Sequence, residues 1–186
     1  MIEVPGAVAV CFDAPTVELF DARARSIHPV LTALGPDLLA PEFDDAAAAQ
    51  AVGRLADASR AQLTIAEALL DQRALAGIGN VYKSEVLFVE RVDPFARAAD
   101  IDDEAFLRLV LRAQRLLLAN REGGARVTTD AGISGGRRTG RLWVYGRAAR
   151  PGRICGEVVV ARTHLRLNRR TYWCPSCQPA VAEEWK

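Results

Sequence analysis

A turn with two glycines and an asparagine, Gly77-Ile78-Gly79-Asn80, restricts the fold more than any other part of the sequence. Upstream of it, Thr64-Ile65-Ala66-Glu67 has the pattern of a capping box, in which side chain and backbone satisfy each other at the start of a helix. We expect this helix to run to about Gln72 and a second helix, over about residues 81–89, to take Asn80 as its N-cap. The sequence therefore predicts a helix, a tight turn and another helix.

The same turn has the chemistry of an anion site. Free backbone amides at a helix N-terminus carry partial positive charge, and glycines allow a phosphate to approach the backbone closely. Gly79 and Asn80 are therefore candidate phosphate-binding residues. The alternative is a tight helix–helix joint that binds nothing, and the residues alone leave both open.

Two further helices are predicted on either side of this unit. Residues 44–55 are rich in alanine and are opened by Asp44 or Asp45. Acidic residues also open a long helix over 104–120, which Gly123-Gly124 is expected to stop. The apolar face predicted for this long helix consists of Phe106, Leu107, Val110, Leu111 and Leu117.

Strands and loops are expected outside the helices. Residues 7–12 and 16–20 are typical of two short strands and indicate the end of a larger sheet, because a lone hairpin is marginal in water. Residues 26–39 are expected to form a loop. The Gly-, Ser- and Arg-rich stretch 132–140 is expected to be mobile.

Positive charge is concentrated between Ile133 and Cys177, where ten arginines face one acid, Glu157. This segment carries +9, so the rest carries −8 in a chain whose total is +1. A basic segment on an otherwise acidic chain indicates a polyanionic partner, nucleic acid first, and arginine favours bidentate contacts to phosphates or bases. A solvated charged face is the alternative.

The pair Cys174-Pro-Ser-Cys177 has the spacing with which two sulfurs reach one zinc ion, and Cys155 supplies a third. Gly152 stands where the fourth ligand of such a site is expected. We reject His164 as a substitute, because it would lie at a hairpin tip roughly 20 Å away. Three thiolates plus water, or a hairpin without metal, remain as alternatives.

Several of these features occur in a recognisable order: residues 28–29, 34–39, 68–82, 142–147 (Leu-Trp-Val-Tyr-Gly-Arg) and 169–178 (Arg-Arg-Thr-Tyr-Trp-Cys-Pro-Ser-Cys-Gln). The set resembles the formamidopyrimidine-DNA glycosylase / endonuclease VIII family of bifunctional DNA glycosylase/AP lyases. The resemblance implies a mainly α chain with small β parts. Its expected domains are a remnant of an N-terminal β-sandwich (1–40), a helix–two-turn–helix DNA-binding domain (41–131), an Arg-rich linker with the start of the finger (132–150), and a zinc-finger-like β-hairpin (151–180).

The resemblance also implies a function in base-excision repair. Asn80 and Arg169 match the family's phosphate-binding residues, so the predicted DNA-binding set is Gly79, Asn80, Arg169 and Arg170. The implied partner is double-stranded DNA with a damaged base, flipped out of the duplex, or an abasic site. The implied zinc ligands are Cys155, Cys174 and Cys177. Without an apolar run or a signal peptide in the sequence, we expect a cytoplasmic monomer of bacterial type that is nucleoid-associated when bound to DNA, with no membrane partner.

The sequence departs from the family at its start. The family begins Met-Pro-Glu-Gly and uses the proline amine as Schiff-base nucleophile, whereas this chain begins Met1-Ile2-Glu3. We therefore expect an N-terminally truncated chain, assign no catalytic residue, and expect DNA binding without efficient catalysis. A non-enzymatic DNA-binding protein and a zinc-ribbon interaction protein are the alternatives, and whether the chain is an enzyme stays open.

Overall fold

The computed structural model describes residues 2–10, 17–122, 125–129, 141–164 and 168–180. The chain divides into two compact units, residues 1–33 and 34–186. The described part is mainly helical with two small antiparallel strand pairs, which confirms the predicted fold class. Within these ranges, no helix has both the length and the apolar character needed to cross a bilayer.

The first unit begins with a hairpin of β1 (Ile2–Val4) and β2 (Ala7–Ala9), in which Val4 lies opposite Ala7. Gly6 has a φ of 82° and closes the two-residue turn, a conformation that suits glycine. Of the strand expected over 7–12, residues 7–9 form β2 and pair with the segment before them, because this short turn brings the two together, whereas residues 11 and 12 lie outside the described part. The expected second strand is wrong over residues 17–20, which are irregular, and the rest of that prediction lies outside the described residues.

The expected loop over 26–39 is wrong in its first half, since two short helices lie there. Helix α1 (Ala22–Ile27) begins after Asp21, whose carboxylate accepts a hydrogen bond of 2.7 Å from the amide of Ala24. Helix α2 (Pro29–Thr32) has proline in its first turn, where the missing N–H has no helical acceptor. An N-cap and an N-terminal proline therefore fold the segment that composition alone assigns to a loop.

Four helices build the main core of the second unit: α3 (Asp45–Leu55), α4 (Ile65–Ala68), α5 (Asn80–Val89) and α6 (Asp103–Ala119). Each contributes buried apolar side chains to one cluster, which includes Leu38, Leu55, Ile65, Leu69, Leu75, Leu87, Phe106 and Leu109. Helix α5 packs against α4 and α6 and, on another side, against the C-terminal hairpin. This position makes α5 the element on which the site is built.

The predicted helix starts are confirmed in three cases. Asp44 caps α3, Thr64 with Glu67 forms the capping box of α4, and an acidic residue, Asp102, caps α6. The predicted end of α4 at Gln72 is wrong, since the helix ends at Ala68. Asp71 explains the early end, because its carboxylate accepts a hydrogen bond of 3.0 Å from the Arg73 amide and so favours a turn.

The buried face of α6 differs in part from the predicted one. Leu107 and Leu111 are 38% and 44% exposed, whereas Leu109, Ala113 and Leu116 take inward positions. The predicted span of 104–120 agrees with α6 to within one residue at each end, and the two glycines expected to stop it, residues 123 and 124, lie outside the described ranges. The Asn120 side chain ends it by donating to the carbonyls of Leu116 and Val127 at 2.7 and 2.8 Å.

The second strand pair is a hairpin of β3 (Val160–His164) and β4 (Arg169–Trp173), with His164 opposite Arg169 and Val160 opposite Trp173. His164 is not at the tip but ends β3, where its ring stacks on Phe95 with 5.1 Å between centroids. A second small core joins the hairpin to α5 and consists of Phe88, Val144, Val159 and Cys174.

Two glycines of this unit allow a matched test of the packing. A Cβ at Gly35 would lie 2.4 Å from the carbonyl oxygen of Ala74, whereas a Cβ at Gly53 in α3 would meet nothing within 4 Å. We expect Gly35→Ala to lower the free energy of unfolding by about 1–3 kcal/mol and Gly53→Ala to raise it by about 0.5–1 kcal/mol. Denaturant unfolding measures both, and equal stability of the two variants would contradict the close approach at Gly35.

Candidate nucleic-acid interface

The N-terminus of α5 has backbone amides without a hydrogen-bond acceptor in the described part of the chain. Its N-cap, Gly79, has an extended backbone and makes no side-chain capping bond. The amides of Asn80, Val81 and Tyr82 meet no acceptor within the part of the chain that the structure describes. Three free N–H groups at a helix N-terminus form a site that attracts an anion. The prediction of Asn80 as N-cap is thus wrong by one residue, and its side chain is free for another role.

The turn before α5 is braced by a side chain that the sequence analysis did not single out. Gln72 accepts a hydrogen bond of 3.0 Å from the amide of Gly77 and donates one of 3.0 Å to the carbonyl of Ile78. Gly77 has a φ of 112°, which residues other than glycine rarely adopt. These contacts hold the turn in one conformation, so the free amides of α5 keep a fixed direction.

Asn80 connects this turn to the hairpin. Its Nδ2 donates a hydrogen bond of 3.0 Å to the carbonyl of Arg170, and its Oδ1 accepts one of 2.6 Å from Lys83 Nζ. Side chains alternate along a strand, so Arg169 shares a face of β4 with Thr171, and Thr171 contacts α5 through Lys83. Arg170 points the other way and lies 5.5 Å from the centroid of the Tyr172 ring.

The structure thus brings the four residues predicted to bind DNA into one region. Gly79, Arg169 and Arg170 are exposed and Asn80 is half-buried. By this alternation, the Arg169 side chain lies on the face of β4 that is turned toward α5. Other arginines of the basic segment are used internally, since Arg147 and Arg153 donate to the carbonyls of Pro151 and Leu142.

Lys83 is fully buried in α5, which is unusual for a lysine. Its three N–H groups match three oxygens: Asn80 Oδ1 at 2.6 Å, Thr171 Oγ1 at 2.7 Å and the carbonyl of Arg170 at 3.4 Å. Burial, followed by the nearby charge of Arg169, lowers the pKa of Lys83 to about 8. Lys83 therefore fixes the orientation of the Asn80 carboxamide and ties it to the hairpin.

Glu85, two residues further along α5, is also fully buried. Its carboxylate accepts hydrogen bonds from three successive backbone amides, those of Trp143, Val144 and Tyr145, at 2.8–2.9 Å. The hydroxyl of Thr128 donates a further one. A single carboxylate thereby anchors the start of the finger to α5.

The three predicted metal ligands form a cluster. The sulfur of Cys155 lies 3.4 Å from that of Cys174 and 3.3 Å from that of Cys177, and all three lie within 4.8 Å of one another. Gln178 clamps this knuckle by accepting from the amide of Cys174 at 3.1 Å and donating to the carbonyl of Val92 at 2.8 Å. Three sulfurs so arranged can hold a metal ion.

The thiols of the cluster differ in acidity. A hydrogen bond from the backbone of Glu157, followed by those from the other two cysteines, lowers the pKa of Cys155. Burial raises the pKa of Cys177 to about 12. His164 belongs to another environment, since its Nδ1 lies 4.0 Å from Glu67 and burial lowers its pKa.

Comparison with known proteins agrees with this geometry. Residues 34–131 match the model of the formamidopyrimidine-DNA glycosylase H2TH domain. The chain belongs to the formamidopyrimidine-DNA glycosylase / endonuclease VIII family. It is 41% identical over 181 residues to the DNA-(apurinic or apyrimidinic site) lyase Nei2 of Mycolicibacterium smegmatis, with 97% of the chain and 66% of the relative covered. It is 44% identical to the probable endonuclease 8 2 of Streptomyces coelicolor, with 94% and 59% covered.

Solved structures of the family show the same fold. The MutM (Fpg) protein of Thermus thermophilus matches with a TM-score of 0.66 and 32% identity, covering 87% of this chain and 59% of that one. The Lactococcus lactis Fpg in complex with abasic-site DNA matches in fold, with a TM-score of 0.65, 23% identity, and 85% and 56% covered. The chain spans less than two thirds of the length of these family members.

The sequence analysis did not place the two buried charged residues, Lys83 and Glu85, among the site residues. A signal was present, because Lys83, Ser84 and Glu85 interrupt an otherwise apolar helix at consecutive positions. The structure buries all three against the finger, where Ser84 Oγ also accepts from the Tyr172 amide at 3.4 Å. Three successive buried polar residues indicate an interface with polar partners rather than an apolar core.

Removal of the Glu85 carboxylate tests the anchor of the finger. We expect Glu85→Ala to lower the free energy of unfolding by about 3 kcal/mol or more, because three backbone amides and a hydroxyl lose their acceptor. The control is Glu104→Ala, since Glu104 is 83% exposed and pairs only with Arg108 in the described structure, so a change below about 0.5 kcal/mol is expected. Similar effects of the two substitutions in denaturant unfolding would contradict the role of Glu85.

The lowered pKa of Lys83 gives a pH dependence with a definite sign. Between pH 8 and 10.5 the folded chain binds fewer protons at Lys83 than the unfolded chain, so stability due to Lys83 rises with pH in this range. We expect the difference in unfolding free energy between wild type and Lys83→Met to shift in favour of wild type by up to about 3 kcal/mol.

Denaturant unfolding at several pH values from about 7.5 to about 10.5, a range that spans both pKa values, measures this difference. Arg115→Met, which removes an exposed cation from α6, is the control and should show no such shift. Parallel pH profiles for wild type and Lys83→Met would mean that the Lys83 amine is not desolvated.

Proposed function

We propose that this chain binds double-stranded DNA at a damaged base or an abasic site, as part of a DNA glycosylase/AP lyase. One observation carries the proposal. The hydrogen bond from Asn80 to the Arg170 carbonyl joins the open N-terminus of α5 to the arginine-rich hairpin. A phosphate between the two would accept hydrogen bonds from the neutral amides of α5 and meet the positive charge of Arg169 on β4.

The donors at this place suit a phosphate diester. The free amides of Asn80, Val81 and Tyr82 point out of the helix N-terminus along its axis, where the helix dipole favours negative charge. Asn80 uses one Nδ2 hydrogen on the Arg170 carbonyl, and its second hydrogen is available for a phosphate oxygen. Arg169, on the face of β4 that is turned toward α5, supplies a guanidinium group for the phosphate. Gly79 is exposed and has no side chain, so the backbone of the nucleic acid can approach it closely.

The relatives support the choice of DNA and of lesion class. One is named as a lyase of apurinic or apyrimidinic sites, and one structure of similar fold holds abasic-site DNA. The charge pattern agrees, since the segment from Ile133 to Cys177 is strongly basic. The proposed ligand is therefore a duplex whose phosphates flank the lesion.

We assign no catalytic residue among the described residues. Lys83 is the amine nearest to Asn80, but each of its N–H groups already meets an oxygen acceptor, and the whole side chain is buried. Its role in this proposal is to position Asn80. Borohydride trapping on an abasic-site duplex tests this assignment, and an adduct that is lost in Lys83→Arg would overturn it.

We also propose that Cys155, Cys174 and Cys177 bind one zinc ion as thiolates. Sulfurs at the corners of a zinc tetrahedron with bonds of about 2.3 Å are about 3.8 Å apart. The observed separations of 3.3 and 3.4 Å are close to this value. Zinc, when bound, would crosslink the loop that contains Cys155 to the knuckle that follows β4. The residues present therefore fit the ion, with three ligands.

Substitution of the phosphate ligands tests the DNA proposal. We expect Asn80→Ala and Arg169→Ala each to weaken binding to an abasic-site duplex, and Arg169→Ala to reduce the slope of log K against log salt by about one unit, because it removes one phosphate-bound cation. Fluorescence anisotropy over a salt series measures both affinity and slope.

The matched control is Arg108→Ala, which removes an arginine of α6 that already pairs with Glu104. It should leave affinity and slope close to wild type, and thermal unfolding of each variant should show that the fold is retained. Wild-type affinity and slope in a folded Arg169→Ala variant would refute the assignment of Arg169.

A further inference from the structure

A glycine, Gly152, lies beside two of the three sulfurs, those of Cys155 and Cys174. A Cβ built on Gly152 would lie 3.7 Å from the sulfur of Cys155 and 3.9 Å from that of Cys174, and a small shift of the Glu157 carbonyl oxygen, 3.0 Å away, would make room for it. A β-carbon at such distances would place a cysteine sulfur within reach of the same ion. Gly152 therefore stands at the fourth corner of the cluster and offers no ligand there.

This corner is held in place by hydrogen bonds. The amide of Gly152 donates to the carbonyl of Glu157 at 2.7 Å, and the amide of Gly156 donates to the carbonyl of Gly152 at 3.1 Å. These two hydrogen bonds hold the loop from 152 to 157 in a tight turn, so the backbone fixes the position of Gly152 beside the cluster.

Among the described residues, no fourth histidine, cysteine or carboxylate joins the cluster. The nearby carboxylate of Glu157 accepts a hydrogen bond of 2.9 Å from the Val158 amide. Small molecules can reach the side of the cluster next to Gly152 from solvent, because Cys155 is exposed and Cys177 and Gly152 are half-buried.

We propose that the metal ion held by Cys155, Cys174 and Cys177 has an exchangeable fourth position on the side of Gly152. That position would take water and exchange it for a small donor that suits zinc, a free thiolate or an imidazole. The inference rests on the proposed metal binding. Closed structural zinc sites have four protein ligands, whereas sites with three protein ligands keep a position for an external one. Thiolate sulfur and imidazole nitrogen are both donors that suit zinc.

Cobalt substitution tests this proposal without any DNA. The probe is the protein loaded with Co²⁺, whose d–d absorption reports the ligand set, titrated with 2-mercaptoethanol and, separately, with imidazole. We expect a spectral shift that saturates in wild type and in Gly152→Ala, and no shift in Gly152→Cys, where a fourth thiolate fills the corner. We also expect a chelator to remove the metal from wild type faster than from Gly152→Cys by about tenfold or more.

The outcomes separate the two proposals. Absence of a cobalt–thiolate absorption band in wild type would overturn metal binding itself. A normal band that neither thiol nor imidazole shifts would leave metal binding standing and overturn the exchangeable position, with Glu157→Gln then identifying an internal fourth ligand if it changes the spectrum. DNA affinity enters neither readout, so the proposed DNA binding stands or falls separately.

Discussion

Capture of three successive backbone amides by the buried carboxylate of Glu85 is the interaction on which the arrangement of the second unit depends. A carboxylate removed from water is costly unless its oxygens accept hydrogen bonds, and here the amides of residues 143–145 fill that role. The same amides would otherwise need water or another acceptor. Helix α5 and the start of the finger therefore satisfy each other's hydrogen-bonding groups, and each would have unpaired polar groups without the other.

Lys83 makes the corresponding contact on the hairpin side of α5. Its ammonium group links Asn80 to Thr171 and Arg170, so a buried cation and a buried anion two residues apart attach one helix to two parts of the finger. Polar contacts of this kind demand one geometry, whereas apolar contacts tolerate several. The position of the arginines relative to the helix N-terminus is set in this way.

The sequence predicted those features that depend on local chemistry. The capping box at Thr64, the helix start at Asp44 and the cysteine knuckle are read from short spacings, and the structure contains them. The inward positions of Leu109 and Leu116 could not be read in this way, because the face of α6 that is buried depends on where α3 and α5 pack. The hydrogen bonds of Lys83 with Thr171 and of Glu85 with Thr128 likewise depend on tertiary structure, because the partners are 88 and 43 positions apart in the sequence.

Strand β4 runs from Arg169, at the candidate DNA surface, to Trp173, which directly precedes the sulfur ligand Cys174. Five residues of one strand thus connect the cysteine cluster to the proposed phosphate site. If both proposals hold, the free energy by which a metal ion fixes this strand would also favour DNA binding, and thermodynamic linkage would make the effect mutual. Loss of the metal ion would then weaken DNA binding without any change at the DNA surface itself.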